Sequence, residues 1–251
     1  MAVGRSGCHD AGVTDGSLMR RVRSLWVELA GVPASGSEDK DVIVSPRSRL
    51  CPPGWCGIVD LGSVAIVTAP DARSAAALRP ALSTADWLTR LPVAEVLGPA
   101  TLLYCDGESF RPASGPADFV RGVDEATADQ VVALPAAHPD VVALRAGVSA
   151  DEDGEAGLAD ITSQAFVVRG KAAAGYEVWP RATAHLSVLT AIEWRGRGLA
   201  RLVASAATAD ALSKGLMPQW RARPEASRRV ARGLGFREFG TQLSIRLGPV
   251  S

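Results

Sequence analysis

The chain of 251 residues is long enough for one large domain or two small ones. With 47% hydrophobic and 22% charged residues, and with Gly 25 and Pro 16 near ordinary usage, it can bury a core and is neither disordered nor collagen-like. Lys+Arg 27 against Asp+Glu 27 leaves no formal net charge, which argues against a general nucleic-acid coat or a membrane-surface protein.

Residues 1–16 are small and polar, lack a signal-peptide stretch and read as a disordered tail. Leu18, Val22, Leu25, Trp26 and Leu29 fall at helical spacing over 17–30, with Ser17 placed to cap the helix and Gly31-Val32-Pro33 to stop it. Strand-like runs follow at 41–45, 57–61 and 63–68, then helical patterns at 70–81 and 84–91 and a strand at 100–105. Cys51 and Cys56 bracket CPPGWC, which is not Cys-x-x-Cys and has no matching His or Cys pair. With Cys 4 in the whole chain, neither a disulfide scaffold nor a metal site is expected. No apolar run reaches the roughly 18 residues needed to span a bilayer, so a cytoplasmic protein with free thiols and no membrane partner is expected.

The polar run 106–117, with two Pro and two Gly, reads as a linker and puts a domain boundary near residue 115. The expected organisation is a tail over 1–16, an N-terminal α/β domain over 17–115 and a second domain over 116–251. In the second domain 119–122 reads as a strand, 126–136 and 139–145 as helices, and 151–155 as an acidic loop. A hairpin of 166–169 with 172–179 turns at Gly170-Lys171, and the turn at Pro180-Arg181 leads to a strand over 185–190. A helix, a strand over 216–222, a helix over 224–234 and a last strand over 239–247 complete the order. In that last strand Thr241, Leu243, Ile245 and Leu247 alternate with Gln242, Ser244 and Arg246, predicting one buried face. Antiparallel hairpins among mixed strands and helices make the fold class α+β, or mixed-sheet α/β.

The chemistry sits in 185–236. Arg195-Gly196-Arg197-Gly198-Leu199-Ala200 follows a buried strand and opens a helix. The first turn of a helix has unpaired N–H groups and about half a positive charge, and glycines let an anion approach that backbone. The turn therefore suits a phosphate or pyrophosphate. It lacks the Gly-Lys-Ser/Thr of a Walker A loop. Arg201 spoils the third glycine of a dinucleotide fingerprint, and no acidic residue ends a strand about 20 residues on. Arg195, Gly198 and Ala200 do satisfy Arg/Gln-x-x-Gly-x-Gly/Ala.

That pattern, the strand Val188-Leu189-Thr190 before it and the later helix ending in Leu234-Gly235-Phe236 resemble the GNAT superfamily of N-acetyltransferases. The resemblance covers roughly residues 117–251; bacterial members with an added N-terminal domain are familiar. It implies a central mixed, mainly antiparallel sheet flanked by helices, with acetyl-CoA as co-substrate and no metal. The backbone of Gly196, Arg197, Gly198, Leu199 and Ala200, with Arg195, would bind the CoA pyrophosphate. Val188, Leu189 and Thr190 would face pantetheine, with Leu189 and Thr190 bonding it through their main chain. Ser227 would lie along the CoA tail, and Arg228 or Arg232 would reach a phosphate. Pro218 is tolerable in the family's fifth strand because that strand splays from the fourth. The chain departs from the pattern at Ala231, where many members carry a Tyr that protonates the leaving thiolate, and at Pro224 in place of an Asn.

The resemblance points to transfer of an acetyl group to a primary amine, on a small molecule or a peptide. The alternative is a non-catalytic acyl-CoA-binding regulatory module. Residues 193–251 hold eleven Lys/Arg against four Asp/Glu, but these are interspersed with apolar positions and no aromatic platform accompanies them, so no nucleic acid is expected. A homodimer is allowed. Residues 105–160 carry twelve Asp/Glu against three Lys/Arg, which favours an acceptor that is a cation before it reacts. An amine attacks only when neutral, so a base is needed. Glu177 and His185, approximate neighbours across the turn at 180–182, are the candidates, with Glu177 preferred.

Overall fold

The computed structural model describes residues 10–31, 41–84, 86–113 and 131–248. The chain divides into two units, Met1–Ala100 with Phe239–Ser251, and Thr101–Glu238. The first division falls at residue 100 rather than near 115. The polar run after it is tied into the second unit: Asp106 Oδ1 accepts from Ser109 N at 2.8 Å, Arg111 N donates to Leu234 O at 2.9 Å and Ala113 N to Ser205 Oγ at 2.9 Å. Over 106–113, the described part of that run, the chain is an anchored turn.

The first unit holds α1 (Asp10–Ala30), β1 (Val42–Val44), β2 (Cys56–Asp60), β3 (Ala65–Ala69), α2 (Ala72–Ala81), the start of β4 (Val93–Tyr104) and most of β10 (Arg237–Leu247). Its strands run β1-β3-β2-β10, with β1 and β3 parallel and the other pairs antiparallel. α1 buries the predicted stripe of Leu18, Val22, Leu25, Trp26 and Leu29. It begins at Asp10, so residues 10–16 are helix rather than tail and Ser17 lies inside it; residues 1–9 are outside the described residues. In β10 the simple alternation fails. Thr241 is exposed, while Gln242 and Ser244 are buried, Gln242 donating to Leu50 O.

The second unit adds β5 (Val132–Leu134), α3 (Pro139–Ala146), α4 (Ala150–Ala156), β6 (Ala165–Val168), β7 (Ala172–Trp179), β8 (Thr183–Thr190), α5 (Leu199–Ser213), β9 (Met217–Ala222) and α6 (Glu225–Gly233). Strand order is β4-β9-β8-β7-β6-β5, antiparallel except for β8 and β9, which α5 connects in parallel. This mixed α+β arrangement, a mostly antiparallel open sheet flanked by helices, is the fold class expected. Ala172, Ala174, Tyr176, Leu186 and Trp220 bury one face against Leu199, Val203, Ala207 and Leu234. Ala173, Val167 and Leu189 bury the other against Val141, Leu144, Leu158 and Ile161. Cover on both faces explains why the first half of β7, Ala172–Gly175, reads as a run of small residues rather than as an alternation.

Two local expectations fail here. Residues 132–134, read as helix, are β5, a run of three residues too short for periodicity to classify; residues 126–130, and the strand expected over 119–122, lie outside the described residues. The acidic stretch is a helix, α4. Ser149 Oγ caps it by accepting from Glu152 N at 3.3 Å, Asp151, Glu152 and Asp153 occupy its first turn, and Gly157 closes it at φ 69°. Ser149-x-x-Glu152 has the form of a capping box, a signal that the charge count masked. No helix among the described residues is long and apolar enough to cross a membrane.

Candidate functional site

Strands β8 and β9 pair only from Thr183↔Met217 to His185↔Gln219, and then separate. Pro218 lies within the paired stretch, opposite Ala184, not in the gap. Its missing N–H is felt on the other side: Cys105 N donates to Pro218 O at 3.2 Å, no reciprocal bond can form, and β4 ends at Tyr104.

Period two decides which backbone groups of β8 face the gap. Met217 N donates to Ala182 O and Ala191 N to Lys171 O, so even-numbered residues turn toward β9 and odd-numbered ones toward β7. Val188 and Thr190 therefore present N–H and C=O to the gap. Leu189 does not: it pairs with Ala173 of β7, and its side chain is buried against α3. Thr190 O accepts from Arg195 Nε at 3.2 Å, and Thr190 Oγ1 is buried with no hydrogen-bond partner.

The gap leads to the turn that opens α5. Gly196 and Gly198 hold φ 76° and 85°, left-handed values that favour glycine. A side chain at Gly196 would meet nothing within 4 Å. Gly198 caps α5 without a side-chain bond, and its carbonyl takes both Arg201 N and Leu202 N. The N–H groups of Gly198, Leu199 and Ala200 precede the first intrahelical donor and point outward. Cations gather beside them. Lys171 Nζ and Arg197 Cζ lie 4.4 Å and 4.6 Å from the Trp194 ring centroid, and Arg195 pairs with Glu152 of α4.

Other predicted residues are engaged elsewhere. Ser227 Oγ accepts from the Trp220 indole at 2.9 Å. Arg228 pairs with Glu225 and lies 3.5 Å from Thr101 Oγ1, and Arg232 pairs with Glu225 and Glu238. None of these partners belongs to the turn. Ala231 is fully buried in the core under α6, so this position holds no phenol. The Gly-Phe that ends the helix has a packing reason. At Gly235, with φ 87°, a Cβ would fall 1.8 Å from Ser109 O, and Phe236 meets Trp220 edge-on at 5.6 Å.

Where the gap begins, Glu177, His185 and Gln219 form one row across β7, β8 and β9. Glu177 Oε2 accepts from Trp179 Nε1 at 2.7 Å, and the Trp179 ring stacks on His185 with centroids 4.0 Å apart. His185 Nδ1 bonds Gln219 Oε1, and Gln219 Nε2 is buried without a partner. Sequence reading missed Trp179, Gln219 and Arg221. The signal was present in Met217-Pro218-Gln219-Trp220-Arg221, whose polar residues alternate in an otherwise buried strand. Burial, then the charge of Arg221, pushes the His185 pKa down to about 3, against the Gln219 bond that raises it. A pKa depressed from 6.5 makes the folded state take up fewer protons than the unfolded one below pH 6.5. Stability is expected to fall from about pH 6.5 downward, by roughly 2 kcal/mol at pH 5. Urea unfolding at pH 7.5 and pH 5 checks this, with His185→Gln flattening the difference; an equal loss in that variant would refute it.

Among the described residues, five carboxylates of the acidic stretch are held in ion pairs: Asp106–Arg237, Asp140–Arg169, Arg145–Asp153, Glu152–Arg195 and Glu155–Arg223. Burial raises the thiols of Cys51, Cys56 and Cys105 to about 11, 12 and 11, which keeps them protonated and unreactive at neutral pH.

The model of the GNAT acetyltransferase family matches residues 173–241, which contain β7, β8, the glycine turn, α5, β9 and α6. Residues 173–241 are thus GNAT-like. The match leaves nearly all of the first unit unassigned. Similar solved structures include a GNAT-family acetyltransferase from Novosphingobium aromaticivorans, 24% identical with a TM-score of 0.43, covering 63% of this chain and 67% of that one. An acetyltransferase of the GNAT family from Colwellia psychrerythraea is 13% identical with a TM-score of 0.42, over 62% and 59%. A GCN5-related N-acetyltransferase-like protein from Streptococcus suis is 15% identical with a TM-score of 0.43, over 92% and 98%. No curated protein matches the chain. Within the second unit the turn, the gap and the row Glu177–His185–Gln219 follow one another along β8. Thr190 to Leu186 spans four residues, about 13 Å of strand.

Proposed function

We propose that the Thr101–Glu238 unit is an acetyl-CoA-dependent N-acetyltransferase acting on a primary amine. The observation that carries this reading is the gap between β8 and β9, with the uncapped start of α5 beyond Thr190 and Glu177 one strand away on β7, opposite His185. The residues fit the co-substrate. The N–H groups of Gly198, Leu199 and Ala200, with Arg197 and Lys171 beside them, suit a pyrophosphate. Val188 and Thr190 offer the strand-like backbone that a pantetheine amide pairs with, and Thr190 Oγ1 lacks a partner. When bound, acetyl-CoA supplies the acyl group as an activated thioester.

Glu177 is the base in this reading. A group protonated only near pH 3, as His185 is, resists a proton at neutral pH by about 5 kcal/mol, so His185 stays neutral. Its ring holds the row in register through Gln219 and Trp179 while Glu177 takes the proton from the attacking amine. The second reading, a non-catalytic acyl-CoA-binding module, rests on Ala231, which offers no proton to a leaving group. Release of CoA thiol into a colour reagent, over a panel of primary amines, separates the two. Amine-dependent release is expected; CoA binding without release from any amine would favour the module.

A further inference from the structure

We propose that α4 is a strap across the gap, held shut by an autoinhibitory contact in which Glu152 occupies Arg195 until the CoA pyrophosphate displaces it. This rests on the co-substrate reading of the glycine turn and adds how that site is regulated. Three ties place α4 over the gap. Ser187, two residues beyond His185 on the same face of β8, donates from Oγ to Gly157 O at 3.0 Å, at the end of the helix. Glu155 pairs with Arg223, the residue after β9, at 3.4 Å. Glu152, one helical turn earlier, pairs with Arg195 in the turn that follows β8. The two carboxylates thus reach the far ends of two strands that have already separated.

Little else holds this helix. None of its residues is buried, and Ala156 packs only partly against the core. Gly154 lies in its interior, where glycine weakens a helix. Arg145 grips Asp153 by two bonds of 2.8 and 2.9 Å, which tie α4 to α3. An element with few buried contacts and exposed polar ties is one that opens readily.

Arg195 links that opening to the co-substrate. Its Nε donates to Thr190 O at 3.2 Å, and its Nη2 bonds Glu152. A guanidinium grips an anion at two points along its Nε/Nη2 edge or its Nη1/Nη2 edge, and both edges include Nη2. Glu152 therefore fills the nitrogen that a two-point grip on a phosphate needs. Were it to stay, its charge would stand against the pyrophosphate at contact range. A pyrophosphate bound at Arg195 expels Glu152 and frees α4 on the β8 side, while Arg145 and Arg223 keep their partners. The cover over the β8 face that carries His185 then loosens in step with loading.

Calorimetry with CoA and amide hydrogen exchange of residues 150–156 test this. Glu152→Gln is expected to bind CoA about threefold more tightly than the unaltered protein, the scale of one exposed ion pair. Glu155→Gln cuts the strap at its other end and should leave CoA affinity close to the unaltered value. The Ser149 cap remains in both variants, and thermal melting checks that both are folded. CoA should speed exchange of the α4 amides in the unaltered protein. In Glu152→Gln that exchange should already be fast, and CoA should add nothing. CoA affinity unchanged or weakened in Glu152→Gln, or α4 exchange slowed or unaltered by CoA in the unaltered protein, would overturn the proposal and leave the co-substrate reading in place. Absence of CoA binding by the unaltered protein and by both variants would remove the co-substrate reading, and the proposal with it.

Discussion

Glu177→Gln is expected to lower kcat/KM by about 10²–10⁴-fold and to abolish the acidic limb of its pH profile, with the fold intact. The substitution keeps an oxygen that accepts the Trp179 indole N–H, so the side chain retains its place. What it loses is the ability to take a proton. Thermal melting should therefore be close to that of the unaltered protein, and CoA affinity unchanged. His185→Gln should keep the acidic limb, because a ring whose pKa is pushed to about 3 is already neutral across the assay range. Any fall in rate there would appear without a change in the shape of the profile. If both variants keep the original profile and rate, neither residue serves as the base. If His185→Gln alone loses the limb, the proton goes to the imidazole and the burial argument is wrong.

The glycine turn was legible because its meaning is local. Two glycines with left-handed φ, a strand before and an apolar helix after can be recognised without knowing what packs against them. The row of Glu177 and His185 was legible for a similar reason, since a short turn at 180–182 fixes which residues face each other. What sequence could not supply is direction. Leu189 and Thr190 look alike as strand residues, but only register with β7 and β9 tells which backbone faces the gap. Long-range pairing decided other cases. Arg228 and Arg232 read as phosphate contacts until Glu225 and Glu238 were seen to hold them. The acidic run read as a solvated loop because net charge hides both the Ser149 cap and the arginines that neutralise it. Gln242 looked outward-facing by alternation, yet a carbonyl 192 residues away in sequence gives its amide a buried partner.

Gly198→Glu should reduce CoA affinity by more than a hundredfold. At this position a Cβ and a carboxylate would enter the space before the N–H groups of Leu199 and Ala200, and replace an attractive helix terminus by a repulsive anion. The glycine also holds φ 85°, so any larger residue adds about 1–2 kcal/mol of backbone strain. Strain alone must be separated from loss of the anion site. Gly198→Asn does so, because asparagine tolerates the left-handed region and carries no charge. Both variants should fold, with Gly198→Asn losing only part of the affinity. Arg197→Gln supplies a further step, removing one cation from the Trp194 ring without touching the backbone. Calorimetry should rank the affinities as unaltered protein, then Arg197→Gln and Gly198→Asn, with Gly198→Glu last by a wide margin. Salt should weaken binding by the unaltered protein, since a pyrophosphate held by cations and N–H dipoles is screened. A folded Gly198→Glu variant that binds CoA as well as the unaltered protein would move the co-substrate away from α5, and with it the assignment of the gap.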